Sequence, residues 1–406
     1  MSRLEELIQQ HCPDGVEYVR FVDYANVLYG YPFDAAQFTS DNSYIPLIRI
    51  RDVLSGKAGT YYKGEYPKDY IIKKGDILVG MDGNFNLGIW DDIDGVLCQR
   101  VCKLYTKDET KLLNGFIKHY MKPVFRQIEE NTAGGSVKHL SAKAINSIKI
   151  PLPPLPVQEE IVRILDNFAE LQAELQAELQ KRLQQYNYYR DKLLSFNDLN
   201  GGGYAVSVEW KKLGDIATDW YRGAGIKRDE VSEEGTPCIR YGEIHTTYNI
   251  WFDECVSHTD ENKQPAKKYA DYGDILFAIT SEDIPFIGNS VAYIGKERIL
   301  VGGDIVVMKH TQNPKYMSYV LSTSDAVMQK GKGKVKSKVV HTNVPSLKEI
   351  VVPIPSLEEQ ERIATILDKF YALTTDITAG LPAEIEARRK QYEYYRDTLL
   401  TFKQKA

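Results

Sequence analysis

The side chains best suited to chemistry in this sequence are those that suit nucleic acid. In VMQKGKGKVKSKVVH (Val327 to His341), Lys330, Lys332, Lys334, Lys336 and Lys338 alternate. In an extended segment all five point to one face, and Gly331 and Gly333 permit close backbone approach. Such a comb suits phosphate oxygens, which position a protein on a duplex without reading its sequence. A solvated loop is the other reading of the same lysines. An equivalent stretch earlier in the chain, AGGSVKHLS, carries Lys138 and His139. Arg49, Arg51, Arg240, Asn84, Asn86, Gln99 and Arg100 have donors and acceptors suited to base edges. Each is equally readable as a satisfied structural polar group.

Catalytic chemistry finds less support. Asn313-Pro314-Lys315-Tyr316 has the outline of the NPPY motif of base-amino methyltransferases, but Lys315 replaces a proline and no glycine-rich cofactor loop precedes it. Asn313 reads instead as a helix cap with Pro314 at the first helical position. Glu109/Lys111, Glu209/Lys211 and Glu261/Lys263 form Glu-x-Lys triplets of the kind found in metal-dependent nucleases, without a well-placed upstream aspartate on a strand. Walker-type, GxSxG and HExxH motifs are absent. Cys12, Cys98, Cys102, Cys238 and Cys255 form no CxxC pair, which predicts reduced thiols in the cytoplasm and no zinc site.

The elements that must position these groups come in two copies. The 40 residues Val157 to Phe196 lack Gly and Pro and read as one helix, with Ile161, Ile164, Leu165, Phe168, Leu171, Leu175 and Leu179 as a buried stripe. The IKIPLPPLPVQEEIVRILDNF opening (Ile148 to Phe168) recurs as IVVPIPSLEEQERIATILDKF (Ile350 to Phe370). QYNYYRDKLLSF (Gln185 to Phe196) recurs as QYEYYRDTLLTF (Gln391 to Phe402). VEYVRFVDYA, IPLIRIRDV and KGDILVGMD of the first half are echoed by VEWKKLGDIA, TPCIRYGEI and YGDILFAIT of the second. A period this long is a duplicated globule plus helix, far beyond solenoid repeats.

At 406 residues the chain holds two or more domains. A net charge of −5 excludes a uniformly basic nucleic-acid coat but not local patches. The charged, amphipathic MSRLEELIQQ is no signal peptide, and no apolar run reaches membrane-helix length. Short strands YIPLIRI (Tyr44 to Ile50), DYIIKKGDILVGM (Asp69 to Met81) and DGVLCQRVCKLY (Asp94 to Tyr105) and a helix over Lys111 to Ile128 predict an α+β globule. The expected boundaries are 1–155, a helix over 156–199, a second globule over 200–355 and a second helix over 356–406, with NDLNGGGYAVS (Asn197 to Ser207) as a hinge.

The whole chain resembles the specificity subunits of type I restriction–modification systems, on IPLPPLPVQEE, VPIPSLEEQER, the paired YxYYRD endings, IPLIRIRDV and GDILVGMDGNFN (Gly75 to Asn86). The second globule reads AITSEDIPF (Ala278 to Phe286) where the first reads MDGNFN. The resemblance implies two mixed α/β target-recognition domains and two long helices that pair as an antiparallel coiled coil. Each domain would read one half of a bipartite double-stranded DNA target, with no catalysis and no cofactor of its own. Two modification subunits would bind S-adenosylmethionine and methylate adenine, and restriction subunits would bring ATP and Mg. It further implies subunit contacts at Gln158, Glu159, Tyr186, Tyr189, Arg190, Phe196, Gln360, Glu361, Tyr392, Tyr395, Arg396 and Phe402. The rival readings are a divergent nuclease or methyltransferase and a structural coiled-coil adaptor.

Within the first helix, Ala169 to Gln180 is AELQ written three times. Four helical residues advance ~6 Å and turn a net ~40°, against ~3.4 Å and ~35° for one base pair. One AELQ unit is therefore expected to set about one base pair of the gap between half-sites. The second helix is longer, 24 residues from Asp368 to Tyr392 against 20 from Asp166 to Tyr186, and TAGLP (Thr378 to Pro382) should break or kink it.

Overall fold

The computed structural model describes residues 3–132, 138–196, 207–264, 266–332, 339–375 and 380–405. The chain divides into two compact units, Met1–Leu175 with Ile385–Ala406, and Gln176–Glu384. The expected hinge falls almost wholly outside the described residues.

In the first unit the entry strand Tyr18–Arg20 pairs antiparallel with the exit strand Lys149–Pro151, so the chain leaves the globule beside where it enters. Between them lies an antiparallel sheet ordered Ala25–Tyr29, Val101–Thr106, Ile77–Gly80, Leu87–Ile89. Ile77–Gly80 is buried at every position, as a strand covered on both faces must be, and this explains its unalternating ILVG sequence. A second sheet pairs Ile45–Ile48 in parallel with Gly95–Leu97. Helix Asn114–Asn131 packs Phe116, Ile117, Met121 and Phe125 into the core. It starts three residues later than Lys111, because Lys111 and Leu112 bond back to the Asp108 carbonyl in a preceding turn.

The second unit repeats this plan. Glu209–Lys212 pairs with Val351–Ile354, and the sheet runs Ala217–Arg222, Ile305–His310, Ile275–Ala278, Ser290–Tyr293, Trp251–Phe252. The copies agree down to backbone clearance. A Cβ on Gly30 would collide with the Cys98 carbonyl, and one on Gly223 with that of Gly302, so both positions require glycine for close approach.

The long helix runs Leu155–Ser195, 41 residues. Its first part packs on the core of the first unit through Val157, Ile161 and Leu165. The expected stripe is buried there but not throughout, since Leu171 is 44% exposed where the helix has left the globule. The second helical region is two helices, Leu357–Thr375 and Gly380–Leu399, with Gly380 at φ +76°. The interruption falls where TAGLP lies, although 376–379 are outside the described residues.

In the first unit Phe168 stacks on Tyr395 with ring centroids 5.2 Å apart, and in the second Tyr186 meets Tyr371 at 6.2 Å. Partner numbers fall as those along the long helix rise, so the pairing is antiparallel. The chain's end also closes the first unit: Val16 N donates to Lys403 O and Lys405 N to Val16 O, both at 2.9 Å. No helix among the described residues is long and apolar enough to cross a membrane.

Candidate nucleic-acid interface

Three chain segments meet at one corner of the first unit because Met81 bonds to two of them. Its N–H donates to Arg100 O at 2.8 Å, and its carbonyl accepts from Leu140 N at 2.7 Å. These backbone bonds bring Asp82, Arg100 and His139 together. Asp82 Oδ2 lies 3.0 Å from Arg100 Nη1, and Asp82 Oδ1 lies 2.5 Å from His139 Nδ1. Arg100 adopts φ +72°, a left-handed conformation uncommon for a residue with a Cβ.

The neighbouring polar residues join this corner. Gly83 N donates to Lys138 O at 2.9 Å, Lys138 Nζ donates to Glu129 O at 2.5 Å, and Gln99 N donates to Tyr31 O at 2.8 Å. Asn84 and Asn86 lie on the same loop and line a cleft of about 930 Å³ whose charged groups are of both signs, Lys122, Arg126, Arg389 and Arg396 with Glu129, Glu130 and Glu393. Of the residues singled out from sequence, the structure gathers Asn84, Asn86, Gln99, Arg100, Lys138 and His139. Arg49 and Arg51 are engaged locally. The Arg49 guanidinium sits 5.7 Å over Phe38, and Arg51 donates to Thr60 Oγ1 and stands 3.8 Å from Asp52.

The second unit builds the same frame with other side chains. Ile279 N donates to Asp304 O at 3.0 Å, and Thr342 N donates to Ile279 O at 2.9 Å. The positions of Asp82, Arg100 and His139 are thereby taken by Thr280, Asp304 and His341. Thr280 Oγ1 lies 3.2 Å from His341 Nδ1, and Asp304 Oδ1 lies 2.6 Å from Arg222 Nη2. Arg222, at the end of its strand, is not legible in the sequence as part of this corner, because its partner Asp304 is 82 residues away. Arg240 is half-buried, its backbone N–H donating to Glu243 Oε2 at 2.9 Å.

The lysine comb requires correction. Lys330 belongs to the helix Ser324–Gly331 and is buried, with Nζ donating to Leu321 O at 2.8 Å and Ser290 Oγ at 3.2 Å. Burial pushes its ammonium down to about 7. It therefore cannot serve as the first tooth of a phosphate comb. Lys332 is exposed at the end of that helix, and Lys334, Lys336 and Lys338 lie outside the described residues.

Two expected subunit contacts are likewise corrected. Gln158 is fully buried, with Nε2 donating to Lys111 O (2.8 Å) and Pro153 O (2.7 Å) and Oε1 accepting from Leu113 N at 3.0 Å. Gln360 does the same in the second unit, donating to Pro355 O and Gln312 Oε1 and accepting from Asn313 N at 2.9 Å. Their amides latch each helix start to its own globule and leave nothing for a partner. Tyr186, Arg190 and Tyr392 are also largely covered. Glu159, Glu361, Tyr189 and Tyr395 are exposed, and Phe196, Arg396 and Phe402 half-buried.

Beside these latches, Asp166 holds Lys118 Nζ at 2.5 Å and His119 Nε2 at 2.8 Å, while Tyr392 hydroxyl meets His119 Nδ1 at 3.1 Å. The carboxylate fixes the proton on Nε2, so Nδ1 accepts from Tyr392. Burial, assisted by the Lys118 charge, brings the imidazole down to about 4 against the pull of Asp166. In the second unit Asp368 takes the Asp166 role, bonded by Lys315, Trp251 and Tyr319. Asn313 caps its helix as expected, Oδ1 accepting from Tyr316 N at 2.9 Å. Among the described residues no group of three or more His, Cys, Asp or Glu could hold a metal ion.

This duplicated architecture has relatives. The profile of the type I restriction modification DNA specificity domain matches twice, over residues 13–185 and 206–387. The chain belongs to that specificity-subunit family. It is similar to the EcoR124I/EcoR124II specificity subunit of Escherichia coli, 32% identical over 364 residues covering 84% of each chain. It also resembles a type I specificity subunit of Haemophilus influenzae, 31% identical over 366 residues, 84% of this chain and 88% of the relative. A solved chain from a study of complex assembly in the type I R-M system shares the fold, with TM-score 0.59, 15% identity and coverage of 95% of this chain and 97% of that one. As a specificity subunit the chain recognises DNA rather than catalysing.

Proposed function

We propose that this subunit reads a bipartite double-stranded DNA target, one half per recognition unit, and carries two modification subunits that bind S-adenosylmethionine and methylate adenine. Restriction subunits using ATP and Mg join the same complex, and the assembly works in the cytoplasm on chromosomal and incoming DNA. The observation that carries this reading is the repeated backbone frame at Met81 and Ile279 with exchanged side chains, Asp82, Arg100 and His139 against Thr280, Asp304 and His341. A constant scaffold with rewritten tips is what two readers of different sequences require. The recognition residues are Asn84, Asn86, Gln99, Arg100, Lys138 and His139 in the first unit and Arg240 and His341 in the second, with Lys332, Lys334, Lys336 and Lys338 on phosphate. Arg49 and Arg51 support the first reading surface. Glu159, Tyr189, Phe196, Glu361, Tyr395, Arg396 and Phe402 form the docking surface on the helices.

Because entry and exit strands pair within each unit, a recognition globule can be exchanged without disturbing the helices. Replacing residues 204–355 by the corresponding part of a relative, with the modification subunit co-expressed, should change one half of the methylated motif and leave the other intact. A swap that assembles and methylates but changes both halves, or neither, would refute the one-unit, one-half assignment.

A further inference from the structure

Each unit holds one exposed arginine against an aspartate at the same corner of its backbone frame. In the first, Arg100 (side chain 66% exposed) is gripped by Asp82 at 3.0 Å. In the second, the Arg100 position is Asp304, and it grips Arg222 (60% exposed) at 2.6 Å, while Arg222 Nε donates to Gly303 O. The guanidinium is thus supplied from different places in the sequence but is held beside the same turn. An ordinary surface ion pair needs no special backbone, whereas Arg100 sits at φ +72° with its carbonyl bonded to Met81 N. A non-glycine residue kept in that conformation points to a position under functional constraint. His139 occupies the other oxygen of Asp82, so the carboxylate is fixed on both sides.

Resting on the specificity-subunit function proposed for the chain, we propose that Arg100 recognises a guanine in the first half-site and Arg222 a guanine in the second, with Asp82 and Asp304 as positioning residues. The guanidinium fork matches the O6 and N7 acceptors of guanine in the major groove, where each base pair presents a distinct pattern. A carboxylate behind the fork restricts its rotamers before DNA arrives, so less freedom is lost on binding.

The test maps methylated adenines by long-read sequencing in cells carrying the full chain and its modification subunit, comparing wild type with Arg100→Gln, Arg100→Lys, Asp82→Asn and Arg222→Gln. For Arg100→Gln and Arg100→Lys, one guanine of one half-site should become degenerate, its preference falling by about 5- to 150-fold, with the other half-site unchanged. Asp82→Asn should relax that same guanine less, and Arg222→Gln should relax one guanine of the other half. A wild-type half-site without guanine would overturn the proposal. So would an unchanged motif, or uniformly weaker methylation with an intact motif in variants that keep the wild-type unfolding temperature. If wild type yields no methylation dependent on this chain, the specificity function itself fails, and this proposal with it.

Discussion

Deleting one AELQ repeat, Ala173 to Gln176, isolates the contribution of helix length. In the first unit the long helix stacks Phe168 on Tyr395, and in the second it sets Tyr186 against Tyr371. The repeats lie between these anchors, 186 − 168 = 18 residues or roughly 27 Å of helix, so the deletion spares both recognition surfaces. Losing four residues shortens the helix by ~6 Å and rotates its downstream part by ~40°. A gap one base pair shorter compensates ~35° and ~3.4 Å, leaving ~5° and ~2.6 Å. Two base pairs would compensate the axial shift better but leave ~30°, a displacement of about 5 Å at roughly 10 Å from the duplex axis, close to half the width of the major groove. Rotation therefore decides, and the methylated motif should keep both half-sites while its gap shrinks by one base pair. Methylome sequencing that shows an unchanged gap, or altered half-sites, would refute this reasoning.

The geometry sets three further outcomes. Gln158→Ala strands Leu113 N, Lys111 O and Pro153 O in the interior and should cost about 2–4 kcal/mol of stability, read by denaturant unfolding. An exposed substitution such as Glu159→Ala should not. His119 is brought to about 4 in the fold against 6.5 for a free imidazole. The unfolded chain then binds the extra proton, so stability is full above about pH 6.5 and falls as pH drops towards 4, by up to about 3 kcal/mol from this group. His119→Gln should flatten that part of the stability–pH curve, while His310, also brought to about 4 by burial, keeps a similar dependence in the second unit. Lys330→Ala should lower the unfolding temperature by removing bonds to Leu321 O and Ser290 Oγ, yet leave the salt dependence of DNA binding unchanged. Lys332→Ala should reduce that slope.

What the sequence revealed depended on how local the signal was. The helix at Leu155–Ser195 and the cap at Asn313 are written in neighbouring residues, and the duplication is written in long similar strings that share short anchors such as YYRD. The alternation of lysines from Lys330 onward suggests an extended segment, and at Lys330 itself a local cap overrides it. Thr323, whose Oγ1 accepts from Ala326 N, starts a helix that carries Lys330 into the core instead. The glutamines of the repeated Gln-Glu helix starts looked like contacts for a partner, although a recurring buried amide serves equally well as a latch on the backbone. Leu171 fits the apolar period but lies beyond the globule that would cover it. Arg222 carried no signal at all, since only the pairing of Ala217–Arg222 with Ile305–His310 sets it beside Asp304.

The most direct measurement of the central claim is long-read mapping of methylated adenines in cells expressing this chain with its neighbouring modification subunit, against cells expressing the modification subunit alone. A subunit that reads both half-sites should yield a bipartite motif, modified in both halves, that vanishes when this chain is absent. Identical methylation in the two strains would contradict this claim.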